Sequence, residues 1–528
     1  MTIKSKKILI FALWLIIFLV LLKNSFSYLD PDLGWHLQIG QQIITEKSVP
    51  SIEYYNYPLL KNQWTDHEWL LNALTFFIFS KLGYFSLTVF YALLIIASLL
   101  LIKKIIINNY PQVNELLLVV IFLGGILSAR PSLGVRLQEF TLLFLAILFF
   151  ILDKYAKTKN IKTLYSLPLL FFIWANAHGG FILGLGLLLV YIILILTPNF
   201  WNKILNKLKV FQKIPSLSSE NKTSFLLLFL IAIISTLFTP YGIKLYELLG
   251  EYSGTFYLSH ILEWLPGWRA PIMLWQMIYT AISVCFIAIT IINIKNNKQK
   301  INPWYFFLAL FFFVFTIKSR RHFPLFFIAS LPLLFHFFAN LEKLPKDLFN
   351  NRFVINFIKT YSILGIILGS TLVLLTTSFT NNPFADKGYC KGYPCDALEF
   401  LKTNNYQNTT FLNPFHWGGY LMWIWPEKLL FIDGRFPQLP YDNHTYLQEY
   451  FSLFEKNNIK NKINQYNTDL IMLSIAKPFK LNWMERNVLG YTDDYYRDPN
   501  IEIKKYLNSA KEWDLIYNDD ISLIYSKK

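Results

Sequence analysis

The sequence predicts a polytopic α-helical membrane protein that carries a C-terminal extracytoplasmic α/β domain. Three observations point there. The chain is 54% hydrophobic and only 16% charged over 528 residues, outside the range of ordinary soluble domains. Apolar runs long enough to cross or nearly cross a bilayer recur about eleven times, at 8–27, 84–102, 115–129, 135–152, 163–176, 178–197, 224–239, 272–293, 303–317, 322–339 and 356–378. After residue 379 the apolar runs stop, and 380–528 holds 17 Lys+Arg against 18 Asp+Glu, a balance of −1.

Lys4, Lys6 and Lys7 precede the first run and no small-residue cleavage site follows it, which reads as an anchor rather than a removed signal peptide. With the N-terminus cytoplasmic, the inside loops collect Lys103–Lys104, then Lys154 to Lys162, then Lys203 to Lys222, then Lys295 to Lys300 and Lys343 to Arg352. The opposite loops carry few cations, as the positive-inside rule requires. Eleven spans leave the 30–69 loop and the C-terminal domain on the outer face of a bacterial or archaeal plasma membrane. The formal charge of +16 is therefore a topology signal, and a near-neutral tail gives nucleic-acid binding no support.

The division falls into a transmembrane part, 1–379, with an outer loop at 28–83, and a soluble part, 380–528, joined by a hinge at 377–383. In the soluble part 396–404 reads as helix, 410–412 and 429–432 as strands, and 443–456 as an amphipathic helix. Residues 469–474 form a further strand, with 514–517 and 522–525 as a closing pair. Leu70, Leu71, Leu74, Phe77 and Ile78 recur at helical spacing, which predicts an interfacial helix over 67–81. Cys390 and Cys395 open the outer domain and suit either a disulfide in an oxidising compartment or two free thiols. Cys285, inside a span, reads as a packing residue.

The outer loop concentrates the chemistry. Asp30, Asp32, His36, His67 and Glu68 sit beside hydrocarbon, and ionisable groups kept there at a cost mark a functional site. Pro31 can begin a helix, on which Asp32 and His36, four apart, share a face. Asp30 is either a cap for that helix or a second catalytic acid. Asp66 suits a cap, and Glu68 either favours a helix N-terminus or acts with Asp32 on a substrate. Asp32, Glu68 and His67 are also the candidate ligands for a divalent magnesium or manganese ion, since hard oxygen donors suit those metals.

Cations on the outer side break the charge rule. Arg130 and Arg136 flank one turn, Lys318, Arg320, Arg321 and His322 form another, and Arg269 follows Glu263-Trp264 in the 240–271 loop. Guanidinium groups pair with phosphate in a planar, bidentate way, so Arg320, Arg321, Arg130 and Arg269 are candidates for a lipid phosphate; snorkelling to headgroups is the alternative. His178, in Asn176-Ala-His178-Gly-Gly, either lines the cavity or makes a turn.

In order, a single span, an acid at its outer end, an amphipathic loop, a second polar cluster and a further amphipathic helix together resemble the GT-C glycosyltransferases. The likeness is to the protein O-mannosyltransferase and aminoarabinose-transferase branch. That family opens its outer loop with an acid, an aromatic four residues on and a small residue eight on, matched here by Asp32, His36 and Gly40; Glu68 matches its second acidic position. His36 replaces the aromatic, and Leu33 stands where many relatives have a second acid. The resemblance implies a polyprenyl-linked sugar donor and inversion at the anomeric carbon. On the leading mechanism Asp32 removes the proton of a glycan, lipid or protein acceptor among membrane lipids. Glu68 and His67 orient that acceptor or bind a divalent metal with Asp32, and His36 is a further substrate-binding candidate. Trp417-Gly-Gly-Tyr-Leu and Phe431-Ile-Asp-Gly-Arg435 more loosely resemble the acceptor-binding segments of oligosaccharyltransferase catalytic subunits. That would give Trp417 and Asp433 to the acceptor, against the plainer reading of a helix start and a turn in a domain core. A lipid-glycan flippase and a non-catalytic lipid-sugar-binding protein are the rival functions; no pair of matched broken spans supports transport.

Overall fold

In the computed structural model the described residues are 3–27, 29–251, 255–269, 271–294, 300–339, 371, 384, 392–475, 481–492 and 498–528. The expected hinge, the run at 356–378 apart from residue 371, and Cys390, one of the two cysteines that suit either a disulfide or free thiols, lie outside them.

The membrane part is a succession of helices: α1 (Ile3–Ser27), α2 (Leu33–Glu46), α3 (Trp69–Asn109), α4 (Glu115–Ala129), α5 (Glu139–Thr158), α6 (Leu167–Ala177) and α7 (Phe181–Leu196), followed by α8 (Pro198–Leu208), α9 (Ser219–Ser235), α10 (Lys244–Glu251), α11 (Thr255–His260), α12 (Leu274–Ile294), α13 (Pro303–Lys318) and α14 (Phe323–Ala339). Each apolar run in the described residues forms a helix, but not each is a span by length and composition. Among the described residues five helices are long and apolar enough to cross a membrane, or six if α7 and α8, bent by 85° at the break between them, count as one. The expected number of about eleven therefore goes beyond what helix length and composition establish. Charge at the ends of α5 and the brevity of α6 and α13 account for part of the difference.

The helix expected over 67–81 is real but continuous with the next span. α3 runs 41 residues and changes direction at Gly83, whose φ of 77° is open to glycine at no steric cost. Cys285 is exposed on α12 and does not pack in the interior: it falls on the outer face of its helix.

The tail forms a four-stranded sheet of order β1-β4-β6-β5, with β1 (Phe411–Leu412), β4 (Leu470–Ser474), β5 (Trp513–Asn518) and β6 (Ser522–Lys527). β1 and β4 are parallel; β4, β6 and β5 are antiparallel neighbours. A hairpin of β2 (Pro440–Tyr441) and β3 (His444–Thr445) stands apart from it. The helix expected at 443–456 is shorter, Tyr446–Ser452, and opens on a capping box of Thr445 and Gln448, which satisfies two end donors reciprocally. The strand expected at 429–432 does not join the sheet. Leu430 instead bridges Asn56 of the 28–83 loop, with Leu430 N–H donating to the Tyr55 carbonyl at 2.8 Å and Tyr57 N–H to the Leu430 carbonyl at 2.9 Å.

That bridge is one of three joints between loop and tail. A Cβ on Gly34 of α2 would lie 2.1 Å from the Gly419 carbonyl oxygen, so α2 and the helix Gly418–Ile424 cross at backbone contact. Gly40 similarly meets Asn72 of α3, where a Cβ would stand 2.1 Å from the carbonyl oxygen. The third joint is ionic. Arg435 is wholly interior and pairs with Glu53 (Nη1–Oε2 2.8 Å) and Asp433 (Nη2–Oδ2 2.7 Å). Asn56 Nδ2 donates to Asp433 Oδ2 at 2.9 Å, and the Trp64 and Phe436 rings flank the guanidinium at 4.7 and 4.9 Å.

Candidate active site

Between α2, the start of α3, the α6–α7 turn, the 257–264 loop and the Arg321 turn lies a cavity of about 330 Å³. Small-molecule sites begin at about that size. Asp32, His67, Glu68, His178 and Arg321 line it, together with Trp35, Trp64, Tyr257, Trp264 and the Gly434–Arg435 turn.

Each side chain has a local reason to be there. Asp30 Oδ1 accepts the Asp32 N–H at 3.1 Å, a short Asx turn that closes the step from α1 into α2. Asp32 is then the residue before the helix, and its own side chain makes no capping bond, which leaves the carboxylate to the cavity. Asp66 is not the cap expected of it, because Glu68 is the residue before α3; its carboxylate instead takes the Glu68 N–H at 3.0 Å and Asn72 Nδ2 at 2.8 Å. Glu68 is thereby aimed inward between two imidazoles: His178 Nε2 lies 3.4 Å from Oε1 and His67 Nε2 lies 3.8 Å from Oε2.

The tautomer of His178 follows from its partners. Gly180 N–H donates to Nδ1 at 2.9 Å, and Thr141 Oγ1 stands 3.0 Å from the same nitrogen. A backbone amide can only donate, so Nδ1 is the acceptor and the ring proton sits on Nε2, facing Glu68. Trp174 Nε1 donates to Thr141 at 3.1 Å, which turns that hydroxyl's own proton toward the imidazole. Asn176, the first residue of the same motif, accepts from Trp69 Nε1 at 3.1 Å and donates to Phe172 and Phe238, so it fixes the turn rather than facing the cavity.

Electrostatics set the carboxylates apart from ordinary surface acids. Burial, then the neighbouring Asp30 charge, pushes the Asp32 carboxyl up to about 7. Burial likewise raises Asp30, offset in part by Arg136. Glu68 is raised well above the usual range by burial and by Asp66 and Asp32. Burial also lowers His67 to about 4 and His36 to about 3. Crowded carboxylates and neutral imidazoles in a cleft are the pattern of proton-transfer sites.

The cations divide sharply. Arg321 faces the cavity, bonds Glu263 Oε2 at 3.2 Å and lies 5.0 Å over the Trp264 ring. Arg136 holds the other Glu263 oxygen, so two guanidiniums share one carboxylate and a net positive charge remains. Burial tends to raise Glu263, but the two guanidiniums outweigh it and hold the carboxyl below its ordinary value. Arg320 is the correction to the expected pair. It is buried and donates to the carbonyls of Leu265, Pro266, Arg269 and Pro271 at 2.8–3.3 Å, which makes it the clasp of the 262–271 loop. Arg130 is bonded to Asn24 at 3.2 Å, and Arg269 is exposed; neither lines the cavity.

Three further candidates fall outside it. His36 turns into the α2–α3 contact, its Nδ1 2.7 Å from Asn72 Oδ1. Trp417 is buried, with its indole N–H on the Gly392 carbonyl at 3.0 Å. Asp433 is consumed by Arg435 and Asn56 as described. The core-and-turn reading of the Trp417 and Asp433 segments is the one the packing follows. Among the described residues no group of three or more His, Cys, Asp or Glu side chains converges to hold a metal ion. Asp32, Glu68 and His67, the expected ligands, line the same cavity without converging on one point. Thr141, Glu53 and Arg435 were not foreseen: a threonine inside an apolar helix and a lone acid between two polar segments carry no spacing signal.

No family model matches the chain, and no curated protein matches it by sequence. Solved structures do match by shape. The Archaeoglobus fulgidus oligosaccharyltransferase tethered by a disulfide to an acceptor peptide containing the NVT sequon superposes with a TM-score of 0.51 at 11% identity, over 98% of this chain and 74% of that one. The archaeal oligosaccharyltransferase AglB of the same organism, in complex with an inhibitory peptide and a dolichol-phosphate, gives 0.49 at 12% identity, over 95% and 72%. At such identities the likeness to the archaeal enzyme is one of fold, and no subfamily follows from it.

Proposed function

We propose that this chain is a membrane glycosyltransferase that moves a sugar from a polyprenyl-(pyro)phosphate donor to an acceptor at the extracytoplasmic face. The observation that carries the reading is the cavity in which Asp32, Glu68 and the neutral pair His67 and His178 face Arg321 on a fold like that of the archaeal enzyme. Asp32 is the general base: it takes the proton of the acceptor hydroxyl or amine as that atom bonds to the anomeric carbon. The bond from that carbon to the phosphate oxygen breaks on the opposite face, with inversion, and the lipid phosphate leaves with the electron pair. Arg321, backed by Arg136, meets the charge that grows on the phosphate, which is the electrostatic part of barrier lowering. Glu68, held by His178, orients the acceptor. The acceptor peptide on the archaeal enzyme makes a polypeptide the first acceptor to try here.

The test is reconstitution in proteoliposomes with a polyprenyl-phosphate-linked sugar. Transfer by the wild-type chain and its loss in Asp32→Asn, at equal insertion, supports the reading; losing a general base costs about 10²–10⁴-fold. Movement of the lipid-linked sugar across the bilayer without transfer overturns it in favour of a flippase.

A further inference from the structure

The turn Asp433-Gly434-Arg435 belongs to the outer domain, yet it ends against the carboxylate of Asp32. A Cβ on Gly434 would lie 1.9 Å from Asp32 Oδ1, 2.9 Å from its Cγ and 3.3 Å from Trp35 Nε1. No side chain fits that gap. The turn is also held on its far side: Asp433 Oδ1 accepts the Arg435 N–H at 2.8 Å and Arg435 Nε at 3.0 Å, while the same guanidinium reaches Glu53 Oε1 at 3.0 Å. Glu53 in turn accepts the N–H groups of Tyr55 and Asn56 at 2.7 Å. The outer loop and the outer domain thus share one buried ionic node, and the glycine between Asp433 and Arg435 is presented at a fixed place.

We infer that Gly434 is a positioning residue for Asp32: the bare backbone of the outer-domain turn walls off the carboxylate and sets the direction it faces. This rests on Asp32 being the base. The groups that surround this carboxylate are Asp30 on its own loop, Glu68 from the start of α3, Glu263 and Arg321 from the two outer turns, and Tyr257 and Tyr393. Exclusion of water by the turn strengthens every one of these interactions. A turn that opened would hydrate Asp32 and return it toward ordinary carboxylate behaviour.

The experiment uses the full-length chain in membranes. Gly434→Ala forces the carboxylate aside by more than an ångström, a misplacement worth roughly 10²-fold in rate. The expected result is that loss in kcat with donor KM little changed, and an acidic limb of the pH–rate profile displaced from that of the wild type. A merely structural role would lower the amount of inserted protein without moving the limb. A second measurement needs no activity: in Asp32→Cys/Gly434→Cys, oxidation should join the two positions, because their separation suits a disulfide. Wild-type turnover and profile in Gly434→Ala, beside an inactive Asp32→Asn, overturns the positioning role alone. No cross-link in normally inserted protein overturns the contact. An active Asp32→Asn overturns the base assignment, and the positioning role falls with it.

Discussion

His178 Nε2 lies 3.4 Å from Glu68 Oε1, and the imidazole reaches it as a fixed tautomer because Gly180 and Thr141 both address Nδ1. Thr141→Val removes the hydroxyl while keeping shape, and it should lower transfer without abolishing it, since Gly180 still donates. His178→Asn offers one amide donor and should retain more activity than His178→Ala. If alanine and asparagine are equal, the imidazole does not orient Glu68.

The pH dependence has a definite sign. Asp32 must be deprotonated to act, and its carboxyl is raised to about 7. Transfer should therefore climb as pH rises through about 7, well above the range of an exposed aspartate. A rate already flat from pH 5 upward would remove Asp32 as the group that titrates.

Arg320 and Arg321 should separate by phenotype. Arg320→Ala leaves four carbonyls of the 262–271 loop without their buried donor, and charge-assisted bonds are worth about 1.5–3 kcal/mol each. It should therefore reduce thermal stability. Arg321→Ala should instead weaken donor binding by roughly tenfold to a hundredfold, and Arg321→Lys should rescue poorly because ammonium lacks the planar fork. Equal donor affinity in wild type and Arg321→Ala would return the phosphate role to other cations.

Arg435→Leu strips the partner from two buried carboxylates, Glu53 and Asp433. Breaking a buried ion network on one side costs about 3–5 kcal/mol, so the unfolding midpoint in detergent should drop steeply. The triple change Arg435→Leu/Glu53→Gln/Asp433→Asn should recover part of that loss. Unchanged unfolding in the single variant would mean that water already reaches the node.

Orientation can be read directly. Ser51, Asn443 and Asn206 are all exposed. Cysteine at Ser51 or Asn443 should react with an impermeant reagent from outside, and cysteine at Asn206 should not. The reverse pattern would place the cavity on the cytoplasmic face.

The helices were legible because apolar runs carry their own period, and strands β4, β5 and β6 were legible as short apolar runs bounded by turns. The acids of the outer loop declared themselves by their cost beside hydrocarbon. What could not be read was partnership across distance. Arg320 and Arg321 are adjacent and chemically identical, yet the chain trace sends one into a ring of carbonyls and the other into the cavity. Asp433 looked free to meet a substrate, yet Arg435, two residues on, folds back to neutralise it, and Asn56, 377 residues away in sequence, donates to it. The 429–432 segment has strand composition, but its edge pairs with the outer loop instead of the sheet.

The backbone contact of Gly34 with Gly419, the Asn56–Leu430 bridge and the Glu53–Arg435 pair have a consequence for ancestry and engineering. A tail grafted from a distant homologue would meet a loop cut for a different surface, so chimeras divided near residue 380 should insert but not function. Those in which residues 30–76 travel with the tail, keeping the Gly40–Asn72 contact, should. The unit to transplant is then set by the joint rather than by the linker: a change on the loop's face of the contact calls for a matching change on the tail's.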